Sequence, residues 1–193
     1  NACSFPEAVR IIAKRYNIEV PQIELTPEQQ KANDDKQSAL AVILAAQEML
    51  THNLWAVPEA MQYLQDRKIS RETAETYGLG FAFDFDGLSR ALIKKAYKEE
   101  HIIASGMAYR DESKDRLKDM FWQRIMFPFY TKNGQIVGFT GRAINNQAAK
   151  YKNTGETILF TKGRQIWGLY QAKKHILKED AVYIAEGQFD VMS

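Results

Sequence analysis

Up to residue 78 the apolar residues of this 193-residue chain recur every three to four positions, the spacing of amphipathic helices. Ala8, Val9, Ile12 and Tyr16 share one face of a first helix. Ser4 is its predicted N-cap, Glu7 completes a capping box, and the helix ends near Asn17. Residues 21–35 are polar, contain two prolines and read as a linker. A second helix is predicted from about Asp35 through the apolar stretch Ala39–Leu50. A third runs from Pro58, with proline in its first turn, to Asp66, and places Ala60, Met61 and Leu64 on one side. Ser70 caps a fourth, which carries Glu72, Ala74 and Tyr77 and closes at Gly78.

Beyond residue 78 the spacing shortens. Leu79-Gly-Phe-Ala-Phe-Asp-Phe85, bounded by Asp86-Gly87, predicts a strand or extended segment, and Leu88–Glu100 a helix with Leu92, Ile93 and Ala96 on its apolar side. Ile125, Phe127 and Phe129 then alternate with other residues, Asn133-Gly134 supplies a tight turn, and Ile136-Val-Gly-Phe-Thr140 returns, which is the pattern of an antiparallel hairpin. Pro128 within the first strand predicts an edge or a bulge. Gln165–Leu177 reads as a helix and Ala181–Ala185 as a buried strand. The predicted fold class is α+β: a helical N-terminal region, a basic antiparallel β section, then the first strand of an α/β unit. No internal repeat is present.

A hydrophobic fraction of 45% suits a globular chain rather than a disordered one. The longest apolar run, Ala39–Ala46, is too short to span a bilayer. The opening residues Asn1-Ala-Cys-Ser-Phe-Pro6 lack the charged start and apolar core of a signal peptide, and a first residue other than Met points to an excised segment. One cysteine, Cys3, and the scattered His52, His101 and His175 form neither a zinc site nor a disulfide framework, as expected in a reducing cytoplasm.

Charge changes the picture more. Although the net charge is only +2, Arg116–Lys178 holds twelve Lys/Arg against two acids, Asp119 and Glu156, for a local charge of +10, and the remainder carries −8. A basic middle in a nearly neutral chain points to a polyanion, with a solvated basic face as the alternative. Within it, Gly138-Phe-Thr-Gly141-Arg142 surrounds an arginine with small residues that permit close backbone approach. Lys150-Tyr-Lys-Asn-Thr-Gly-Glu156 alternates cations with amide, hydroxyl and aromatic groups, and Phe160-Thr-Lys162-Gly-Arg164 sets two cations about a glycine at a predicted helix start. Trp122, Tyr151 and Phe160 are candidates to stack on unpaired bases. At the chain's end, Val182-Tyr-Ile-Ala-Glu186-Gly-Gln-Phe-Asp190 breaks a predicted strand at a turn carrying Glu186, with Asp190 four residues on. Two carboxylates there suit Mg²⁺, which takes one or two of them plus phosphate oxygens; spacing alone equally allows an exposed turn followed by a helix-start aspartate.

At these residues the chain resembles the catalytic core of bacterial-type (DnaG-family) DNA primases. Glu186-Gly-Gln-Phe-Asp190 resembles the toprim Glu-Gly-x-x-Asp motif. Arg124-Ile-Met-Phe-Pro128, Gly138-Phe-Thr-Gly-Arg142, Lys150-Tyr-Lys-Asn-Thr-Gly-Glu-Thr157 and Phe160-Thr-Lys-Gly-Arg164 with Trp167-Gly-Leu-Tyr170 resemble four further primase motifs in order. Upstream, Tyr63-Leu-x-x-Arg67 with Gly78-Leu-Gly-Phe81 resembles the family's helical subdomain, and Ser4–Arg10 the helix that follows its zinc-binding domain. Three departures mark a divergent relative: Met120-Phe-Trp122 stands where the family often has Arg-Phe-Arg, Gly155 replaces a proline and Lys152 a leucine.

The resemblance implies residues 1–20 as the helix after an absent zinc-binding domain, 21–35 as linker, 36–178 as the N-terminal subdomain of the core and 179–193 as the start of the toprim domain. It implies an enzyme that copies single-stranded DNA template into short RNA primers from NTPs, with a replicative helicase as partner and no membrane. Glu186 would be the catalytic, metal-binding glutamate and Asp190 a supporting acid for Mg²⁺ or Mn²⁺, with zinc in the upstream domain. Arg124, Arg142, Lys150, Lys152, Lys162 and Arg164, with Trp122 and Tyr151, would line the template and nucleotide cleft. The later Asp-x-Asp motif would lie beyond residue 193, which makes the separate chain inactive. A non-catalytic single-strand-binding module and a toprim nuclease or topoisomerase remain the alternatives.

Overall fold

The computed structural model describes residues 5–18 and 25–192, which fall into two compact units, 1–34 and 35–193. The first holds helix α1 (Phe5–Arg15), which stops at Asn17 with a positive φ of 54°. The Ser4 cap lies outside the described residues. Helix α2 (Pro27–Ala56) begins eight residues earlier than predicted and replaces half of the expected linker. Its start is a reciprocal capping box: the Thr26 N–H donates to Gln29 Oε1 at 3.0 Å and the Gln29 N–H to Thr26 Oγ1 at 3.3 Å.

In the second unit, α3 (Pro58–Asp66) and α4 (Arg71–Thr76) form as predicted, and the Ser70 side chain accepts from the Thr73 N–H. The predicted helix 88–100 is instead two, α5 (Gly87–Lys94) and α6 (Glu99–Ala104), because Ala96 adopts a φ of 66°. Asp119 is buried and accepts from the Leu88 and Ser89 N–H groups at 2.8 Å each, which satisfies the first turn of α5 from thirty residues away; burial pushes its carboxyl above the ordinary range. Asp119 ends β3 (Arg116–Asp119), which forms a separate two-stranded sheet with β2 (Ala108–Asp111).

The main sheet has strand order β1 (Gly80–Ala82), β4 (Arg124–Tyr130), β5 (Ile136–Ala143) and β6 (Tyr151–Asn153), all antiparallel. Pairing of β1 with β4 stops at Met126, so β4 is an edge on that side where Pro128 lies, and a bulge follows at Phe129/Tyr130. Every residue of β5 is buried, because the sheet is covered on both faces. Ala82, Met126 and Phe139 face one core with Leu50, Leu92 and Phe121, and Phe81, Ile125 and Phe127 face another with Leu54, Leu64 and Leu79. Among the described residues no single helix is long and apolar enough to cross a membrane.

The last part departs from expectation. Helix α7 spans Leu169–Glu179 and is preceded by Gly168 in the left-handed region (φ 83°), so the predicted start at Gln165 is four residues early. Residues 181–185 form no strand: Val182, Tyr183 and Ile184 are 58%, 98% and 93% exposed. A strand exists only through its hydrogen-bonded neighbours, and none of the described strands pairs with this segment. A short helix, α8 (Gln188–Met192), follows and docks Phe189 against Phe127 in the second core.

Candidate functional site

Register decides the fate of each basic residue. Arg142 on β5 lies opposite Ile125 and Tyr151, on the face of the second core. Its side chain is only 7% exposed, and it is held by hydroxyls rather than carboxylates: Nε donates to the Tyr63 hydroxyl and Nη1 to that of Tyr151 at 2.7 Å. The guanidinium carbon also lies 5.0 Å from the Tyr151 ring centroid and 5.6 Å from that of Phe189. Tyr151, expected to stack on a base, is thus bound to Arg142.

Arg124, expected to line the template and nucleotide cleft, is buried beneath a loop of its own chain. It lies on the opposite face, 3% exposed, and donates to the carbonyls of Gly141 (2.9 Å), Ala149 (2.8 Å) and Lys150 (3.3 Å) and to Gln147 Oε1 (2.7 Å). It fastens the loop that carries Lys150, and its guanidinium is occupied by that task. Lys152, opposite Gly141 on the same face, sits 5.9 Å from the Tyr109 ring; burial, then the charge of Arg124, lowers its pKa. Lys150 is exposed. The structure therefore distributes the predicted cations over both faces of the sheet.

The glycines of Gly138-Phe-Thr-Gly141 admit the protein's own side chains. A Cβ at Gly138 would lie 2.8 Å from the Phe160 ring, and one at Gly141 2.8 Å from that of Phe121. Phe160 is fully buried and so is no stacking platform for a base. Half-buried Trp122 stacks on Phe85 at 4.0 Å between ring centroids. Lys162 and Arg164 are exposed on a single 3-10 turn (Lys162–Arg164), separated from α7 by four residues rather than forming its start. Arg164 lines a cleft of about 600 Å³ with Lys132, Lys173, Tyr130 and Tyr170. Among the described residues, none of Arg124, Arg142, Lys150, Lys152, Lys162 and Arg164 forms an ion pair with a carboxylate.

Glu186 and Asp190 are exposed on either side of Gly187, and a Cβ at Gly187 would lie 2.7 Å from Asp190 Oδ2. Glycine there lets the Asp190 carboxylate fold back onto the turn that carries Glu186. Two oxygen donors on one turn fit a hard divalent cation that fills its remaining positions with water or phosphate oxygens. Among the described residues no group of three or more candidate ligands is assembled. No site role is predicted for Tyr63 on α3 or for Arg67 at its C-cap, which the fold brings to Phe189 and, for Tyr63, to Arg142; their i, i+4 spacing was the available signal.

A helical region, an antiparallel sheet bearing cations that have no carboxylate partner among the described residues, and two acids about the turn before α8 define a basic α+β module. The chain belongs to the DNA primase family: the model for the DNA primase catalytic core, N-terminal domain, matches residues 47–173. It is 34% identical to DNA primase of Pseudomonas putida KT2440, over 98% of this chain and 29% of that protein, so it spans about a third of the relative's length. The RNA polymerase domain of Mycobacterium tuberculosis primase DnaG, solved with a double-stranded DNA oligomer with a 6-nucleotide overhang, superposes with a TM-score of 0.74 at 32% identity, over 81% of this chain and 50% of that one. The Aquifex aeolicus primase, with zinc binding and RNA polymerase domains, superposes with a TM-score of 0.76 at 25% identity, over 98% of this chain and 45% of that one.

Proposed function

We propose that this chain is the N-terminal part of the RNA-polymerase core of a DNA primase, which in the whole protein makes short RNA primers on single-stranded DNA in the cytoplasm. The observation that carries the reading is the junction of the two halves of the site. Phe189, between the acids Glu186 and Asp190, is anchored in the core beside the guanidinium of Arg142, which has no carboxylate partner among the described residues. Arg142, Lys150, Lys152, Lys162 and Arg164 would hold phosphates of template, NTP or primer, and Arg124 would act by fixing the loop that carries Lys150. Trp122 would stack on a base. Residues 179–193 would open the toprim domain, and a replicative helicase and an upstream zinc-binding domain belong to the same reading.

Glu186 and Asp190 are the residues that would hold Mg²⁺ or Mn²⁺. When bound, the metal supplies Lewis-acid stabilisation of the charge that develops on the phosphoryl oxygens as a 3′-hydroxyl attacks a nucleoside triphosphate. The chain's own cations neutralise and orient the phosphates, and the aromatic packing about Arg142 keeps its guanidinium from collapsing onto a carboxylate. In the full-length protein, Glu186→Ala should reduce primer synthesis about a thousandfold, since loss of metal stabilisation costs several kcal/mol. Binding of single-stranded DNA should change less than about threefold, because phosphate contacts carry it. Wild-type primer yield from Glu186→Ala would overturn the assignment.

A further inference from the structure

We propose that the cleft beside the β4–β5 turn is a second binding site, for a nucleobase joined to phosphate, separate from the site about Arg142. Ile125 on β4 lies opposite Arg142, and Tyr130 follows five residues along the same strand, about 17 Å away. The cleft begins there. Three elements wall it: the hairpin supplies Tyr130 and Lys132, the 3-10 turn Arg164, and the first half of α7 Tyr170 and Lys173. At about 600 Å³ it has the size of a small-molecule pocket. Tyr130 and Tyr170 stack with ring centroids 5.4 Å apart and 27° between planes, and Ile166, which also lines the cleft, is 69% exposed. Gly134 (φ 84°) lays the hairpin backbone against Tyr170: a Cβ there would lie 2.6 Å from the ring, so the ring is held in place before any ligand arrives. Lys132, Arg164 and Lys173 are exposed, no carboxylate lines the cleft, and among the described residues none of the three is in an ion pair. Three like charges about one concavity repel each other, and an anion among them removes that repulsion. Inorganic phosphate would use the cations and leave the rings bare, whereas a planar base carrying phosphate uses both.

A free nucleotide and a nucleic-acid strand both present that chemistry, and the test separates them. In the full-length protein, Lys132→Ala combined with Lys173→Ala removes two exposed cations and leaves the fold intact. Binding is measured in EDTA, which keeps nucleotide off any metal held by Glu186 and Asp190. If the cleft takes a free nucleotide, the double variant binds ATP at least tenfold more weakly than the wild type. If it takes a strand, ATP affinity is unchanged and the slope of log affinity against log salt for oligothymidylate falls by about 1.4, or about 0.7 for each lost contact. Either result supports the proposal. Tyr170→Leu, which keeps an apolar side chain without the ring, should weaken the same ligand about tenfold. Lys36→Ala combined with Lys174→Ala removes equal charge from exposed lysines outside the cleft and should move neither quantity. An equal effect of that control would make the cleft part of a general basic face and overturn the proposal, as would unchanged ATP affinity and slope in the first double variant. Full affinity in Tyr170→Leu would reduce the cleft to an anion patch and overturn it too. If the wild-type protein makes no primer while these shifts appear, the second site stands and the polymerase reading falls.

Discussion

Replacing Arg124 by Met separates a structural arginine from a ligand-binding one. The side chain is 3% exposed and makes three hydrogen bonds of 2.9 Å or less, to Gly141 O, Ala149 O and Gln147 Oε1. At about 1.5 kcal/mol for each bond from a charged donor, their loss costs about 4.5 kcal/mol. Relief from burying a charge, which already lowers the Arg124 pKa, returns part of this, and Met restores much of the packing. A net loss of about 3 kcal/mol should remain, or about 6–12 °C in melting temperature for a unit of this size. The assay is thermal unfolding of the full-length protein together with amide hydrogen exchange, which should speed up first across residues 145–150. The salt dependence of DNA binding should keep its slope. Unchanged stability with a slope reduced by about 0.7 would refute the reasoning, because it would show Arg124 meeting a phosphate instead of its own backbone.

Further outcomes follow from the same geometry. Gly138→Ala should destabilise by about 1–3 kcal/mol, since its Cβ would press on the buried Phe160 ring at 2.8 Å, whereas Gly155→Ala, with no atom within 4 Å, should stay within about 0.5 kcal/mol; equal denaturation midpoints would contradict this. The Lys118 ammonium, with help from Ser113, holds the Asp111 carboxyl down at about 2. A depressed carboxyl stabilises the fold above the usual carboxylate pKa and loses that contribution as pH falls towards 2. Stability measured against pH should therefore drop more steeply below about pH 4 in the wild type than in Asp111→Asn, and parallel curves would dismiss the interaction.

Elements defined by local chemistry were legible in the sequence. Pro58 and Ser70 mark helix starts by removing or satisfying orphan N–H groups, and Asn133-Gly134 marks its hairpin, so these appear where the residue order placed them. The start of α2 was missed because its polarity resembled a linker, although Thr26 and Gln29 carried the capping signal. The strand expected at 181–185 depends on neighbours that local pattern cannot supply. The basic residues of the candidate site were legible in composition, but their placement in the fold was not. Arg124 and Arg142 look alike in the sequence, and only strand pairing puts one under a loop and the other against tyrosines. Tyr63 and Arg67 were legible as part of a motif but not as neighbours of Arg142, since they lie 75 or more residues from it and only the fold brings Tyr63 to Arg142 and Arg67 to Phe189.

The two-sided burial of β5 has a further cost and remedy. A strand with one wet face is aligned by its alternation of polar and apolar residues, but β5 has no wet face, so a slip by one residue would not expose its apolar side chains to solvent. Alignment must instead come from the few residues that tolerate only one face. A slip would put Val137 or Phe139 beneath the Phe160 ring in place of Gly138, and would drive the Arg142 charge into the packing around Met126 and Phe121. The residues that shape the candidate site thus also act as the strand's ratchet, and substitutions at Gly138, Gly141 or Arg142 threaten strand alignment.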